Sequence, residues 1–235
     1  MNNHHLLAFD METTGVSVKE TRPVQVCLVQ QEAGVRRVLI NARCNPCMPI
    51  EEGAEAVHGI SDSDVKYMPD FLIVMYQLRL LLSQVLREDT ILVTMNGKAF
   101  DVPIADRLFE ATVMGWIPHF DVYQAACRYF PDLKSRKLGD LYRFFFEVDL
   151  QDAHDAAADN FAVLDVVGEM IRRIGKPIEE LVAEMNKPAY YSIMPFGKHA
   201  GKTIDEIPKG WAVFMNKQGD LSPDLQATVN YILAT

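Results

Sequence analysis

Three strand-like apolar runs follow one another in the first forty residues, and they decide most of what this chain can become. Residues 6–12, 24–30 and 35–40 carry the pattern, with Gly15 and Gly34 between them, so hairpin-style connections are expected. The period then changes. Helical spacing occupies 70–86 behind Pro69, a buried strand reads at 90–95, and helices read at 102–114, 138–146 and 155–174. Pro103 suits the first turn of its helix, and Phe161, Leu164, Val167, Ile171 and Ile174 make one stripe along the last. Strands first and alternating elements afterwards predict an α/β fold, a mixed β-sheet flanked by helices.

The chain breaks at Gly175-Lys176-Pro177 and again at Asn186-Lys187-Pro188. Its 235 residues carry 23 basic and 32 acidic side chains, a net charge of −9. Residues 187–235 hold five lysines and four acids, +1, which leaves −10 for the 186 residues before them. Two domains are therefore expected: 1–186, and 187–235 as a small α+β module. The second would close on a helix from Ser222-Pro223-Asp224 to Leu233, an N-cap followed by proline and an early acid. The overall acidity excludes a protein that grips nucleic acid by global basicity, though not by a local patch. Four cysteines are too few for a disulfide scaffold, and Cys44-Asn45-Pro46-Cys47 lacks the second pair a zinc finger needs. The opening residues lack a signal-peptide pattern. The most apolar segment is interrupted by Gln77, Arg79 and Gln84. A soluble, cytoplasmic protein without a membrane partner is the expectation, with His4 and His5 outside the ordered core.

Chemistry concentrates in three places. Asp10 and Glu12 stand two apart at the end of the first strand, so their carboxylates share a face that is otherwise apolar. Asp101 closes the turn Asn96-Gly97-Lys98-Ala99-Phe100, where the 90–95 strand hands over to a helix. His154 and Asp159 flank the start of the longest helix. Each has an ordinary explanation alone: a strand end, a helix-initiating acid, a surface histidine. Together they supply four carboxylates, whose convergence without counter-charge would drive pKa values upward. Hard divalent cations resolve that conflict. Mg²⁺ takes carboxylate and water oxygens at about 2.1 Å, and two such ions roughly 3.5–4 Å apart suit in-line phosphoryl displacement. A neutral His154 is a fitting general base for water.

The segments Phe9-Asp10-Met11-Glu12-Thr13-Thr14-Gly15, Asn96 to Asp101, and His154-Asp155-Ala156 with Asp159 resemble the three signatures of DEDDh-type (DnaQ-like) 3′–5′ exonucleases. Asn45-Pro46 through Val57-His58-Gly59-Ile60 and Asp64-Val65 is similar to the segment these enzymes place after their third strand. The tail, from Met194-Pro195-Phe196-Gly197-Lys198-His199-Ala200-Gly201-Lys202 to Asp220-Leu221-Ser222-Pro223-Asp224-Leu225, looks like the C-terminal module of exonuclease X-type enzymes. The chain has Met95-Asn96 where many relatives have His-Asn.

The resemblance implies a ribonuclease H-like fold and a metal-dependent exodeoxyribonuclease releasing nucleoside 5′-monophosphates from DNA 3′ ends. It implies two Mg²⁺, replaceable by Mn²⁺, held by Asp10, Glu12, Asp101 and Asp159, with His154 the base. Asp10 would bridge both ions, Glu12 and Asp159 would hold the water-activating one, and Asp101 would support the other. Thr13, Thr14 and the backbone at Gly15 are candidates to touch the terminal nucleotide, because short hydroxyls and open backbone permit close approach. Asn96 and His58 are candidate cleft residues, and Phe100 can stack on a base or pack in the core. Lys198, Lys202 and Lys209 with Phe196 and Trp211 fit either a phosphate-tracking surface or a solvated loop over a core tryptophan. Partners are DNA 3′ ends, single-stranded or duplex, and a polymerase or another replication or repair protein; the sequence leaves homo-oligomerisation open. Competing readings are a polymerase-associated proofreading exonuclease, an RNase T-like RNA-trimming enzyme and a non-catalytic binding domain.

Overall fold

Alternation along the first strand sets the layers. The computed structural model describes residues 4–150, 156–219 and 221–235. In it β1 (His5–Thr13), β2 (Pro23–Glu32) and β3 (Val35–Arg43) form an antiparallel meander. The chain then passes through α1 (Glu52–His58), α2 (Asp62–Val65) and α3 (Phe71–Val85) to β4 (Thr90–Thr94), which pairs parallel with β1. After α4 (Asp101–Phe109), β5 (His119–Asp121) pairs parallel with β4. The five strands run β3-β2-β1-β4-β5, with β1 in the middle. The expected mixed, helix-flanked α/β sheet is present.

Leu7, Phe9 and Met11 pack on one face of the sheet with Phe71, Val74 and Leu78 of α3 and Val102 and Ile104 of α4. Their neighbours Leu6, Ala8, Asp10 and Glu12 point to the opposite face, against which α7 (Ala156–Ile174) packs after α5 (Val122–Tyr129) and α6 (Leu138–Phe146). Asn160 of α7, itself buried, donates from its side-chain amide to the carbonyl of Cys27 at 3.3 Å. Cys27 is the β2 partner of Asp10 in the strand register, so this bond ties α7 to the sheet beside the acid.

The chain groups into two compact units, Met1–Val122 with Leu138–Gly175, and Tyr123–Lys137 with Lys176–Thr235. This grouping draws Tyr123–Lys137 into the second unit, whereas the sequence division runs after residue 186. Besides α8 (Ile178–Met185), the second unit contains α9 (Lys209–Gln218) and α10 (Pro223–Ala234), and it buries Met194, Ile204, Ile207, Ala212, Val229 and Ile232. Its β-feature among the described residues is an isolated bridge, Ile193 with Thr203. The Ser222 hydroxyl accepts the Leu225 N–H and Pro223 opens the helix, as the sequence predicts for α10. Tyr190 stacks on Tyr231 at 4.2 Å. No helix among the described residues is long and apolar enough to cross a membrane.

Two expectations change. The helix predicted over 102–114 stops at Phe109, because Glu110 turns into the left-handed region (φ +53°). The Asp106 carboxylate then accepts the N–H groups of Val113, Met114 and Gly115 and holds the chain in a separate turn. His5 is not a loose terminal residue: it is fully buried in β1, and its ring bonds the Thr90 hydroxyl at 2.8 Å and the Gln30 amide at 2.7 Å. Burial lowers its pKa, with the Arg87 charge adding to the effect.

Candidate metal and catalytic site

The centre of the sheet delivers the acids. Asp10 and Glu12, on the α7 face of β1, meet Asp159 from the first turns of α7, and one carboxylate oxygen from each lies within 4.8 Å of the others. All three are half-buried. Three hard oxygen donors at that spacing fit Mg²⁺ and do not suit a softer, thiolate-seeking ion.

Asp101 comes from the other side of β1. Its Oδ1 accepts the backbone N–H of Met11, the residue between Asp10 and Glu12, at 3.2 Å. It is buried, and burial first, then the charges of Asp121 and Glu12, raise its pKa to about 7 against the pull of backbone N–H groups. Asp121, at the end of β5, is a buried acid that the sequence reading missed. It accepts the Lys98 N–H at 3.0 Å and the Thr94 hydroxyl at 3.3 Å, and Thr94 also bonds the His119 ring at 2.8 Å. Burial holds His119 neutral, its pKa down at about 3. A three-residue strand carries too few positions for alternation to reveal which way Asp121 points. The Phe120-Asp121 pair closing an apolar run was the one available signal.

The turn after Glu12 is built to be rigid. The Thr13 hydroxyl donates to the Gly15 carbonyl at 2.9 Å, as does that of Thr21 at 3.1 Å, and the Thr14 and Thr21 hydroxyls bond each other at 3.0 Å. Arg107 of α4 donates from Nε to the Val18 carbonyl at 3.0 Å and from Nη2 to that of Thr21. Thr13 and Thr14 are buried, so their hydroxyls hold the turn's shape. The Glu51 carboxylate lies against Gly15, with Oε1 2.2 Å from where a Cβ would stand, so a side chain there would have to displace that carboxylate. His58 lies beneath the same turn. The Ile60 N–H donates to its Nδ1 at 3.0 Å, which leaves the proton on Nε2 to be given to the Thr13 carbonyl at 3.2 Å.

Asn96 is exposed at φ +62° in the turn after β4. Gly97 follows where a Cβ would come within 2.6 Å of the Thr94 side chain. Phe100 is half-buried and packs against the main core, keeping one side open. His154 lies outside the described residues. The structure thus brings Asp10, Glu12 and Asp159 together, sets Asp101 beside the same strand, and gathers Thr13, Thr14, Gly15 and His58 at the adjoining turn.

A mixed sheet whose central strand presents Asp10 and Glu12 to Asp159 of a flanking helix makes this an α/β protein with a carboxylate cluster able to hold a divalent cation. The family model for exonucleases of the RNase T type matches residues 7–167, and the chain belongs to that exonuclease family. The PolC-type DNA polymerase III of Streptococcus mutans serotype c is 28% identical over 167 residues, covering 68% of this chain and 10% of the relative. Among solved structures, E. coli exonuclease I with zinc bound, in complex with single-stranded DNA, superposes with a TM-score of 0.62 at 18% identity, over 77% of this chain and 43% of that one. A product-bound exonuclease I gives 0.59 at 17% identity, over 78% and 46%. The chain therefore spans a tenth of the polymerase and less than half of the solved enzymes, which share its fold.

Proposed function

We propose that this exonuclease removes nucleotides from DNA 3′ ends, hydrolysing one phosphodiester at a time in the 3′-to-5′ direction. The observation that carries the reading is the meeting of Asp10, Glu12 and Asp159 within 4.8 Å, with Asp101 bonded to the backbone between the first two. Glu12 and Asp159 with Asp10 would hold one Mg²⁺, and Asp10 with Asp101 a second; Mn²⁺ accepts the same carboxylate and water donors. When bound, the ions supply Lewis-acid polarisation of the phosphate and a more acidic water.

The chain's own residues do the rest. His154 takes a proton from the attacking water, whose oxygen forms the new bond to phosphorus. The bond to the 3′ oxygen of the preceding nucleotide breaks, that oxygen is protonated, and the last nucleotide leaves as its 5′-monophosphate. The braced turn at Thr13-Thr14-Gly15 fixes where the last sugar and phosphate can lie, and the open side of Phe100 offers a base a stacking face. Asn96 and His58 would shape the same cleft, His58 from beneath through its bond to Thr13.

A proofreading enzyme serving a polymerase is the second reading, supported by the likeness to a segment of PolC. Digestion of 3′-end- and 5′-end-labelled single-stranded DNA, matched and mismatched duplex ends, and RNA separates these options. The expected result is Mg²⁺-dependent release of mononucleotides from 3′ ends of single-stranded DNA, abolished by EDTA and by Asp10→Ala. Preferential attack on mismatched duplex ends would favour proofreading, and preference for RNA would favour RNA trimming. An Asp10→Ala protein that digests DNA at the normal rate would refute the assignment.

A further inference from the structure

The second unit holds two buried polar side chains with unused hydrogen-bonding groups, and both border one loop. Arg136 is 7% exposed; its guanidinium donates to the Pro131 carbonyl at 2.8 Å and to the Pro195 carbonyl at 3.4 Å, while its Nε finds no partner. His199 is 6% exposed, neither ring nitrogen has a hydrogen-bond partner, and the ring meets Trp211 edge-to-face at 5.5 Å. Pro195 leads into the loop 196–202. That loop folds back on itself: the Gly201 N–H donates to the Met194 carbonyl and the Met194 N–H to the Lys202 carbonyl, each at 2.8 Å. Gly197 and Gly201 take the left-handed backbone it needs, at φ +72° and +80°. Arg136 thereby fastens the segment 131–137, with Lys134 and Lys137, to the loop that carries Lys198 and Lys202.

These lysines are part of the uncompensated charge of the unit; Lys187, Lys209 and Lys217 also form no ion pair among the described residues, but they lie outside the two segments joined by Arg136. Arg128 pairs with Asp224 at 3.1 Å and Lys176 with Glu184. Among the described residues, Lys134, Lys137, Lys198 and Lys202 form no ion pair. Lys198 and Lys202 stand close enough to His199 that their charges add to burial in lowering its pKa. The unit as a whole carries ten basic against eight acidic side chains, in a chain whose remainder has thirteen against twenty-four. Buried donors are normally paired, and groups left unpaired behind a row of free cations suit an anion. Lysines spaced along two joined segments, with Phe196 partly exposed at the head of the loop, match a run of phosphates with a base beside it better than one ion.

We propose that residues 131–137 and 196–202 form a nucleic-acid backbone site on the second unit, in which Lys134, Lys137, Lys198 and Lys202 bind successive phosphates of a single strand and Phe196 stacks on a base. The proposal rests on the reading that this exonuclease acts on nucleic acid, and it adds a contact surface separate from the carboxylates.

The test uses the full chain carrying Asp10→Ala, without divalent ions, and a fluorescent single-stranded oligodeoxynucleotide titrated over a series of chloride concentrations. The paired changes Lys198→Gln/Lys202→Gln and Lys134→Gln/Lys137→Gln should each weaken binding. Each should also flatten the slope of log affinity against log salt by about 1.4, two contacts at about 0.7 each. Phe196→Leu should weaken binding about fivefold with the slope unchanged. Circular dichroism melting confirms that each variant is folded. Unchanged slopes in either pair would overturn the two-segment site. Displacement of the oligonucleotide by low-millimolar inorganic phosphate, beyond a chloride control of equal ionic strength, would mark a single-anion pocket and overturn the strand. The two readings fail separately: a wild-type chain that digests DNA while the slopes stay unchanged loses only this site. A chain inactive on DNA that binds with the predicted slopes loses only the catalytic reading.

Discussion

Asp101 carries the sharpest tension at the scale of one residue. A carboxyl group with an ordinary pKa of 3.8 is raised to about 7 by burial, then by Asp121 and Glu12. A raised native pKa means that the folded state holds this proton more tightly than the unfolded chain does. The side chain therefore costs the fold nothing below about pH 4. The cost grows as pH rises from about 4 to about 7, where only the unfolded chain has released the proton, and stays at its full value above that. Metal-free Asp101→Asn should match the wild type near pH 4 and melt a few degrees higher at pH 8, read by thermal denaturation in EDTA. A wild type that gains on the variant as pH rises would contradict the sign. The same proton competes with a cation, so Mg²⁺ affinity measured by calorimetry should fall as pH drops below about 7. Asp101→Asn should lose hydrolysis even where it gains stability.

At the scale of elements, legibility followed length and period. β1, β2 and β3 show clear apolar runs and fold where the sequence places them, and the 155–174 stripe becomes α7. Asp10 and Glu12 were readable as a pair because a strand sends alternate residues to one face. By contrast β5 has three residues and α5 and α8 have eight each, too few for a period to stand out, and Asp121 stayed hidden with its strand. The link that brings Asp159 to Asp10 was hidden for another reason. Asn160 reads as an ordinary polar residue in a helix, and only the register of β1 on β2 puts the Cys27 carbonyl within its reach. That bond fixes how α7 approaches the sheet, so its loss acts on the site through position. Asn160→Leu should leave the carboxylates intact yet weaken Mg²⁺ binding about tenfold, as removal of an orienting partner does. It should also destabilise the fold by about 1–3 kcal/mol. Isothermal titration and urea denaturation read the two effects, and unchanged metal affinity would show that α7 is held by packing alone.

For the whole molecule, two compact units each bury an apolar core of their own: Leu7, Phe9 and Leu78 with their neighbours in one, Met194, Ile207 and Val229 in the other. Units with separate cores need not unfold in one step, so scanning calorimetry of the full chain should resolve two transitions. All four acids assigned to metal belong to the unit of the five-stranded sheet. A ligand that binds only folded protein stabilises what it binds by about 2.7 kcal/mol when present at a hundred times its dissociation constant. Mg²⁺ at that level should therefore raise one transition by a few degrees and leave the other in place, and Asp10→Ala should abolish the rise. A single transition that moves as a whole would mean that the chain unfolds as one cooperative body, and a shift surviving Asp10→Ala would place the cation elsewhere. Only the first outcome ties the metal to the strand and helix that present the acids, which is the geometry on which nucleotide release would depend.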